Sequence, residues 1–317
     1  MPIPPSEYVS SVWKQGIFDG RVVFVTGGAG TICSAQTRAL VHLGANACII
    51  GRNQEKTEAA AKDIATCRNG AKVIGIGGCD VRNPDDLVKA AERCVKELGA
   101  IDFVIAGAAG NFVAPISGLT PNGFKTVMEI DVLGTYNTVK ATIPYLIESA
   151  ARNKGSPNGL TGGRIIYISA TFHYTAMPMQ AHVMAAKASV DSIMASVALE
   201  YGPYGITSNV IAPGGITGTE GLERLTSSRV DLDTAASGIP LGRFGVVKDI
   251  SDATVYLFSD AGNYVSGEVL VVDGADWRHK GMGVGMDEGM KYPDFLLKGE
   301  FSKYVKTGRK EKPKSKL

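Results

Sequence analysis

The chain has 317 residues, a formal net charge of +2, 44% hydrophobic and 20% charged residues, a balance that suits one large α/β domain or two small ones with a sizeable core. A charge so near zero argues against a general nucleic-acid binder or a protein held to acidic membranes, and no apolar run reaches the length of a membrane span. The five cysteines (Cys33, Cys48, Cys67, Cys79, Cys94) are odd in number and never spaced C-x-x-C, so buried thiols in a reducing compartment are expected rather than disulfides or a metal site.

Met1 to Glu7 lacks the charged-then-apolar order of a signal peptide. Residues 1–19 read as an N-terminal arm, 20–275 as one domain, and 276–317 as an extension rich in Gly, Lys and aromatic residues. The first strand, Val22 to Thr26, runs into glycines and then a helix from Ser34 to Leu43. Ala47–Ile50 is a second strand, Gln54 to Ala65 a helix, and Lys72–Gly77 a third strand. The next helix is capped by Asn83, opened by Pro84 and stopped by Gly99. Asp102–Ala106 is a fourth strand, and Thr120-Pro121 opens a long helical region through Asp131, Tyr136 and Ile147. Arg164–Ser169 is a fifth strand and Ala181 to Tyr201 a helix. Thr207–Ile211 and Glu268–Val272 are the last strands, with a helix at Lys248 to Phe258 between them. Near-continuous apolar strands alternating with helices predict a single Rossmann-like doubly wound domain, a seven-stranded parallel sheet flanked by helices, with ligands at the carboxyl ends of the strands.

The glycine-rich stretch carries the first chemistry. Thr26, Gly27, Gly28, Gly30, Thr31 and Ile32 bring backbone N–H groups to a helix N-terminus, where a pyrophosphate can sit; plain turn chemistry is the other reading. The second strand ends in Gly51-Arg52-Asn53 rather than in an acid that would bind a ribose 2′-hydroxyl. A guanidinium there binds a 2′-phosphate, so Arg52 points to NADP(H), helped by Lys56, against a surface arginine at a helix start. Asp80-Val81 closes the third strand, where an acid accepts from an adenine amino group or simply begins a helix. The chain ends in Ser315-Lys316-Leu317, a peroxisomal address read by an import receptor, or a solvated basic tail.

Thr26-Gly27, Asp80-Val81, Ala108-Ala109-Gly110, Ser169, Lys187 and Pro213-Gly214 together resemble a short-chain dehydrogenase/reductase over residues 20–275. More narrowly, Ala108-Ala109-Gly110-Asn111-Phe112, Ser169-Ala170-Thr171-Phe172-His173 and the run from Gln180 to Ala188 resemble the peroxisomal 2,4-dienoyl-CoA reductases, the fungal members above all. The resemblance implies cofactor contacts from Val81, Ala108, Gly110, Pro213, Gly214 and Ile216, with Lys187 on the nicotinamide ribose. It implies acyl-CoA contacts from Arg82, Asn111, Phe112, Thr120 and Asn122, and a homodimer or homotetramer. For Arg82 the other reading is a solvated charge at a helix start, and for Phe112 core packing.

Three departures from the family pattern matter. Thr31 and Cys33 stand where glycines are usual, Asp131 where the long helix usually has Asn, and Val183 where Tyr precedes Lys187 by four residues. Valine has no proton to give, so alcohol–ketone interconversion is disfavoured. A dienoyl thioester takes hydride at C5 and a proton at C2 and needs no tyrosinate. Asp131, Lys187 and Asp191 are expected to hold a catalytic water, with Ser169 orienting substrate or water. The plainer readings are a surface Lys187–Asp191 pair at i,i+4 spacing and a Ser169 that only satisfies a strand end. His182 and Tyr174 are substitute acids in a rival reading as a keto- or hydroxyacyl reductase. A non-catalytic NADP-sensing or scaffold protein is a further rival.

Overall fold

A computed structural model describes residues 3–153, 163–219, 221–222 and 232–279. The C-terminal extension beyond residue 279, with Ser315-Lys316-Leu317, lies outside the described residues. Seven strands form one parallel sheet: β1 (Val22–Thr26), β2 (Asn46–Ile50), β3 (Val73–Ile76), β4 (Phe103–Ala106), β5 (Arg164–Ile168), β6 (Thr207–Pro213) and β7 (Val269–Val272). Their spans agree with the sequence reading within a residue or two at the ends, and their spatial order is β3-β2-β1-β4-β5-β6-β7. Between β1 and β4 the winding reverses, and a crevice opens at their carboxyl ends.

Both faces of the sheet are covered, which is why the strands read as unbroken apolar runs. On β1, Val22 and Phe24 enter one core while Val23 and Val25 enter the other. The first core lies under α3 (Pro84–Leu98), α5 (Gly134–Asn153) and α7 (Ala181–Tyr201). The second lies under α1 (Thr31–His42), α2 (Gln54–Ala65) and α9 (Val247–Phe258). Tyr8, Val9 and Phe18 are buried in this second core. Ser10 N and Trp13 Nε1 both donate to Asp252 Oδ1, at 2.8 and 2.9 Å, so residues 3–19 are laid along the domain.

Two local departures from the predicted elements shape the site. The long helical region is not uniform: α4 (Pro121–Val127), capped by Thr120 Oγ1 on Gly123 N, runs into a π-helical segment, Met128–Leu133, before α5. Gly134 ends that segment where a Cβ would lie 2.5 Å from Val81 Cγ2. Such single-turn π segments gather at functional sites, and this one carries Asp131. A helical turn, α6 (Phe172–Thr175), also follows β5; the sequence reading has a loop there. A short helix, α8 (Leu232–Ser237), precedes α9.

Candidate active site

A cavity of about 640 Å³ opens at the carboxyl ends of β1, β2 and β4. Gly27, Gly30, Arg52, Asp80, Val81 and Ala108 line it, all expected from sequence. Gly27 has φ +66°, and a Cβ on Gly28 would come within 2.5 Å of Ile49 Cβ, so the turn lies flat on the sheet. The Thr26 hydroxyl accepts from Gly107 N and Ala108 N at 3.1 and 3.2 Å and ties β1 to the loop after β4. Gly30 is the N-cap of α1, with Thr31 its first residue and Ile32 half-buried behind it. Cys33 fills the space beside Gly107 that a second side chain would need, its Sγ 3.8 Å from Gly107 O. The cysteine that stands for a glycine is thus matched by a glycine across from it.

The residues fit a dinucleotide. Arg52 is exposed at the wall, with Lys56 beside it, and neither side chain makes a hydrogen bond or ion pair among the described residues. Asp80 is not free in the same way: the Arg82 guanidinium donates to both its oxygens, Nε to Oδ1 at 3.0 Å and Nη2 to Oδ2 at 2.6 Å. Those hydrogen bonds hold the Asp80 carboxyl below its usual pKa despite partial desolvation. Arg82, expected to meet a CoA phosphate, therefore has Asp80 as its partner, in a hollow it shares with Asp86 and Glu129.

At the ends of β4 and β5 the chemistry-bearing groups converge. Asp131 is fully buried, which is costly for an acid unless it is paired. Lys187 Nζ lies 3.0 Å from its Oδ2 and donates to Ile168 O at 2.9 Å, while Gly110 N donates to Oδ1 at 2.7 Å. Gly110, expected at the cofactor, thus holds the acid as well. Val183 is buried four residues before Lys187 on the same face of α7. Asp191, four residues after, is held from elsewhere: its Oδ2 accepts from His173 Nε2 at 2.7 Å and from the Tyr174 hydroxyl. The plain i,i+4 pairing of Lys187 with Asp191 is not what forms; Lys187 reaches Asp131 instead. Burial alone would raise the Asp191 pKa, and the hydrogen bonds from His173 and Tyr174, with the Ser169 hydroxyl nearby, outweigh it and keep the group below the ordinary carboxylate value. Burial, and after it the bond to Asp191, pushes the Tyr174 hydroxyl well above its usual pKa, so it is a neutral donor.

Phe112 is not core: it is 39% exposed, and its ring stacks 4.3 Å from that of His182, which is fully buried. Its Cζ lies 3.1 Å from where a Gly123 Cβ would be, which sets it beside the start of α4. The Thr120 hydroxyl is spent on the helix cap, and Asn122 is exposed next to it. Pro213, Gly214 and Ile216 lie on the carboxyl edge of β6, where Gly214 N donates to Val272 O. Among the described residues, nine buried side-chain polar atoms have neither a hydrogen-bond nor an ion-pair partner, and seven of them belong to Asn111, Ser169, His173, Gln180, His182 and Asp191. Unsatisfied groups are expensive, and their concentration in one place marks a site made to meet a ligand. Sequence reasoning missed His173 and Gln180 as members of it. His173 was visible only as part of the run after Ser169, because nothing in that run predicts the turn α6.

A family model described as enoyl-(acyl carrier protein) reductase matches residues 27–274. A solved short-chain dehydrogenase from Bacillus anthracis shares 33% identity with a TM-score of 0.70, covering 83% of this chain and 98% of that one. The chain belongs to the short-chain dehydrogenase/reductase family. Within that family of oxidoreductases, whose fold binds a nicotinamide cofactor, two relatives share one named activity. The (3E)-enoyl-CoA-producing peroxisomal 2,4-dienoyl-CoA reductase of Saccharomyces cerevisiae is 49% identical over 292 residues, 92% of this chain and 94% of its own. The corresponding Arabidopsis thaliana reductase is 39% identical over 86% of this chain and 89% of its own. This short-chain dehydrogenase/reductase has valine at position 183, four residues before Lys187.

Proposed function

We propose that the chain is an NADPH-dependent 2,4-dienoyl-CoA reductase of the peroxisomal matrix, producing a 3-enoyl-CoA as an auxiliary step of unsaturated fatty acid β-oxidation. The observation that carries this reading is the buried Val183 beside the Asp131–Lys187 pair: the site has charge and acceptors but no tyrosine in the slot that alcohol oxidation uses. The two relatives named above and the Ser315-Lys316-Leu317 terminus support the substrate class and the compartment. Import would be through a receptor that reads this tripeptide, and assembly as a homodimer or homotetramer.

A bound reduced nicotinamide supplies hydride for C5 of the diene. The chain supplies everything else. Arg52 and Lys56 would hold the 2′-phosphate, and the turn at Gly27–Gly30 and the N-terminus of α1 would hold the pyrophosphate. Lys187, fixed by Ile168 O and Asp131, keeps a proton toward the ribose and steadies the negative charge that reaches the thioester oxygen. Asp131, Lys187 and Asp191 hold the water that protonates C2, with Ser169 orienting it, and as a group relay a proton from solvent to the hydroxide it leaves. Such general-acid help is worth about 10²–10⁴-fold. Phe112 covers the acyl thioester near Asn111, with Thr120 and Asn122 at the mouth, and Arg82 meets the CoA by exchanging Asp80 for phosphate.

Loss of NADPH absorbance with 2,4-hexadienoyl-CoA, followed by product analysis, tests the reading: a 3-enoyl-CoA supports it, and no oxidation overturns it. The hydrogen bond from Tyr174 to Asp191 favours one second reading, a keto- or hydroxyacyl-CoA reductase with Tyr174 as acid. Turnover of a ketoacyl-CoA without turnover of a dienoyl-CoA would establish that alternative.

A further inference from the structure

The two oxygens of Asp191 have opposite surroundings. Oδ2 accepts from both His173 Nε2 and the Tyr174 hydroxyl, while Oδ1 is buried without a hydrogen-bond partner. Ser169 Oγ is buried without a partner of ordinary geometry, yet lies near enough to help hold down the Asp191 pKa. A carboxylate only accepts, so His173 must present Nε2–H, and a neutral ring then leaves Nδ1 bare. Nδ1 is the His173 nitrogen that has no partner.

The turn that carries these donors has little other purpose. None of Phe172–Thr175 is buried in the core. The chain leaves it through Ala176 and Met179, both in the left-handed region at φ 58° and 63°, where residues other than glycine are strained. Two tilted ring contacts brace it: His173 on Tyr174 at 3.9 Å, and Tyr174 against Trp277 at 5.4 Å, with the Arg278 guanidinium on the far ring. Backbone strain held next to paired polar groups is the mark of a segment kept for a site.

We infer that His173 is a positioning residue for Asp191. With Tyr174 it saturates Oδ2 and leaves Oδ1, buried and without a partner, as the carboxylate's free acceptor for water. This rests on the role given to Asp191 in the proposed reductase, and the test separates the two.

His173→Phe keeps an aromatic ring against Tyr174 and removes the donor; His173→Gln restores a side-chain N–H. Steady-state kinetics with 2,4-hexadienoyl-CoA are measured beside NADPH affinity by fluorescence titration. His173→Phe is expected to lose about ten- to a hundredfold in kcat, with KM and NADPH affinity nearly unchanged, since misplacing a working group costs rate before binding. His173→Gln should recover most of the loss. Nitrogen-15 NMR of the ring is the readout that needs no turnover: the chain has four histidines, and His173 should show the Nε2–H form, with its signals moving in Asp191→Asn. Unchanged kcat in His173→Phe, no recovery in His173→Gln, or an Nδ1–H ring would overturn the inference. A parent protein that leaves dienoyl-CoA untouched while His173 shows the Nε2–H form sinks the reductase reading and leaves the pairing standing.

Discussion

Lys187 Nζ lies 3.0 Å from Asp131 Oδ2, and both residues are buried. One comes from the second turn of α7 and the other from the π-helical segment, so the ion pair joins two separate elements at the ends of β4 and β5. Lys187 is also bonded to Ile168 O and Asp131 to Gly110 N, which satisfies the groups that a bare buried pair would leave open.

Breaking that pair should show in stability and in rate. Asp131→Ala strands a buried ammonium and is expected to cost about 3–5 kcal/mol. Asp131→Asn keeps an oxygen for Gly110 N and should cost less. Turnover is expected to fall by at least about 10²-fold in either, and likewise in Lys187→Ala. Urea melts beside NADPH consumption check this; parental rates in Asp131→Asn would remove the residue from the site.

Arg52 is the test of cofactor choice. Its guanidinium has no partner among the described residues, and charge-assisted bonds to a phosphate are worth about 1.5–3 kcal/mol. Arg52→Ala should weaken NADPH binding by about tenfold or more and leave NADH almost untouched. Equal changes for the two nucleotides in a fluorescence titration would mean that the 2′-phosphate sits elsewhere.

Asp191 makes a prediction about acid. Burial opposes its ionisation, but the two hydrogen bonds from His173 and Tyr174, with the Ser169 hydroxyl nearby, bring its folded pKa below the ordinary value. A carboxyl lowered on folding stabilises the protein above its unfolded pKa, about 3.9, and that contribution is lost as pH falls through the folded value. The gap in stability between the parent and Asp191→Asn should be constant above about pH 5 and close at lower pH. Chemical melts across that range measure it, and a gap that widens toward acid would reverse the assignment.

The thiols make a prediction about base. Burial pushes Cys33 and Cys79 up to about 12 and Cys48 well above its usual value. Thiols raised on folding contribute stability at neutral pH that is lost as pH rises from the unfolded value toward the folded one. Native protein at pH of about 8 should resist iodoacetamide, with Cys67, the one cysteine only partly buried, reacting first. Peptide mass mapping would expose the error if Cys33 were labelled before it.

The sheet was legible in the sequence because its cause is local. Strands buried on both faces are apolar at every position, helices declare their caps, and Asn83-Pro84 with Gly99 bound α3 as the chain itself does. The cofactor cleft was legible for the same reason: Gly27, Gly30, Arg52 and Asp80 lie at strand ends, where the fold class fixes their direction. Asp131 also announced itself, since an acid flanked by Ile130 and Val132 needs a partner. Its partner did not, for Lys187 has Asp191 one turn away and takes Asp131 from another element. That choice was made by the extra residue in the π-helical turn, by Gly134 yielding its side-chain space to Val81, and by the turn α6 that gave Asp191 to His173 and Tyr174 instead. Periodicity tells which face a residue occupies; only packed tertiary structure decides which of several nearby charges it meets, because that depends on ångström-scale offsets that no local pattern encodes.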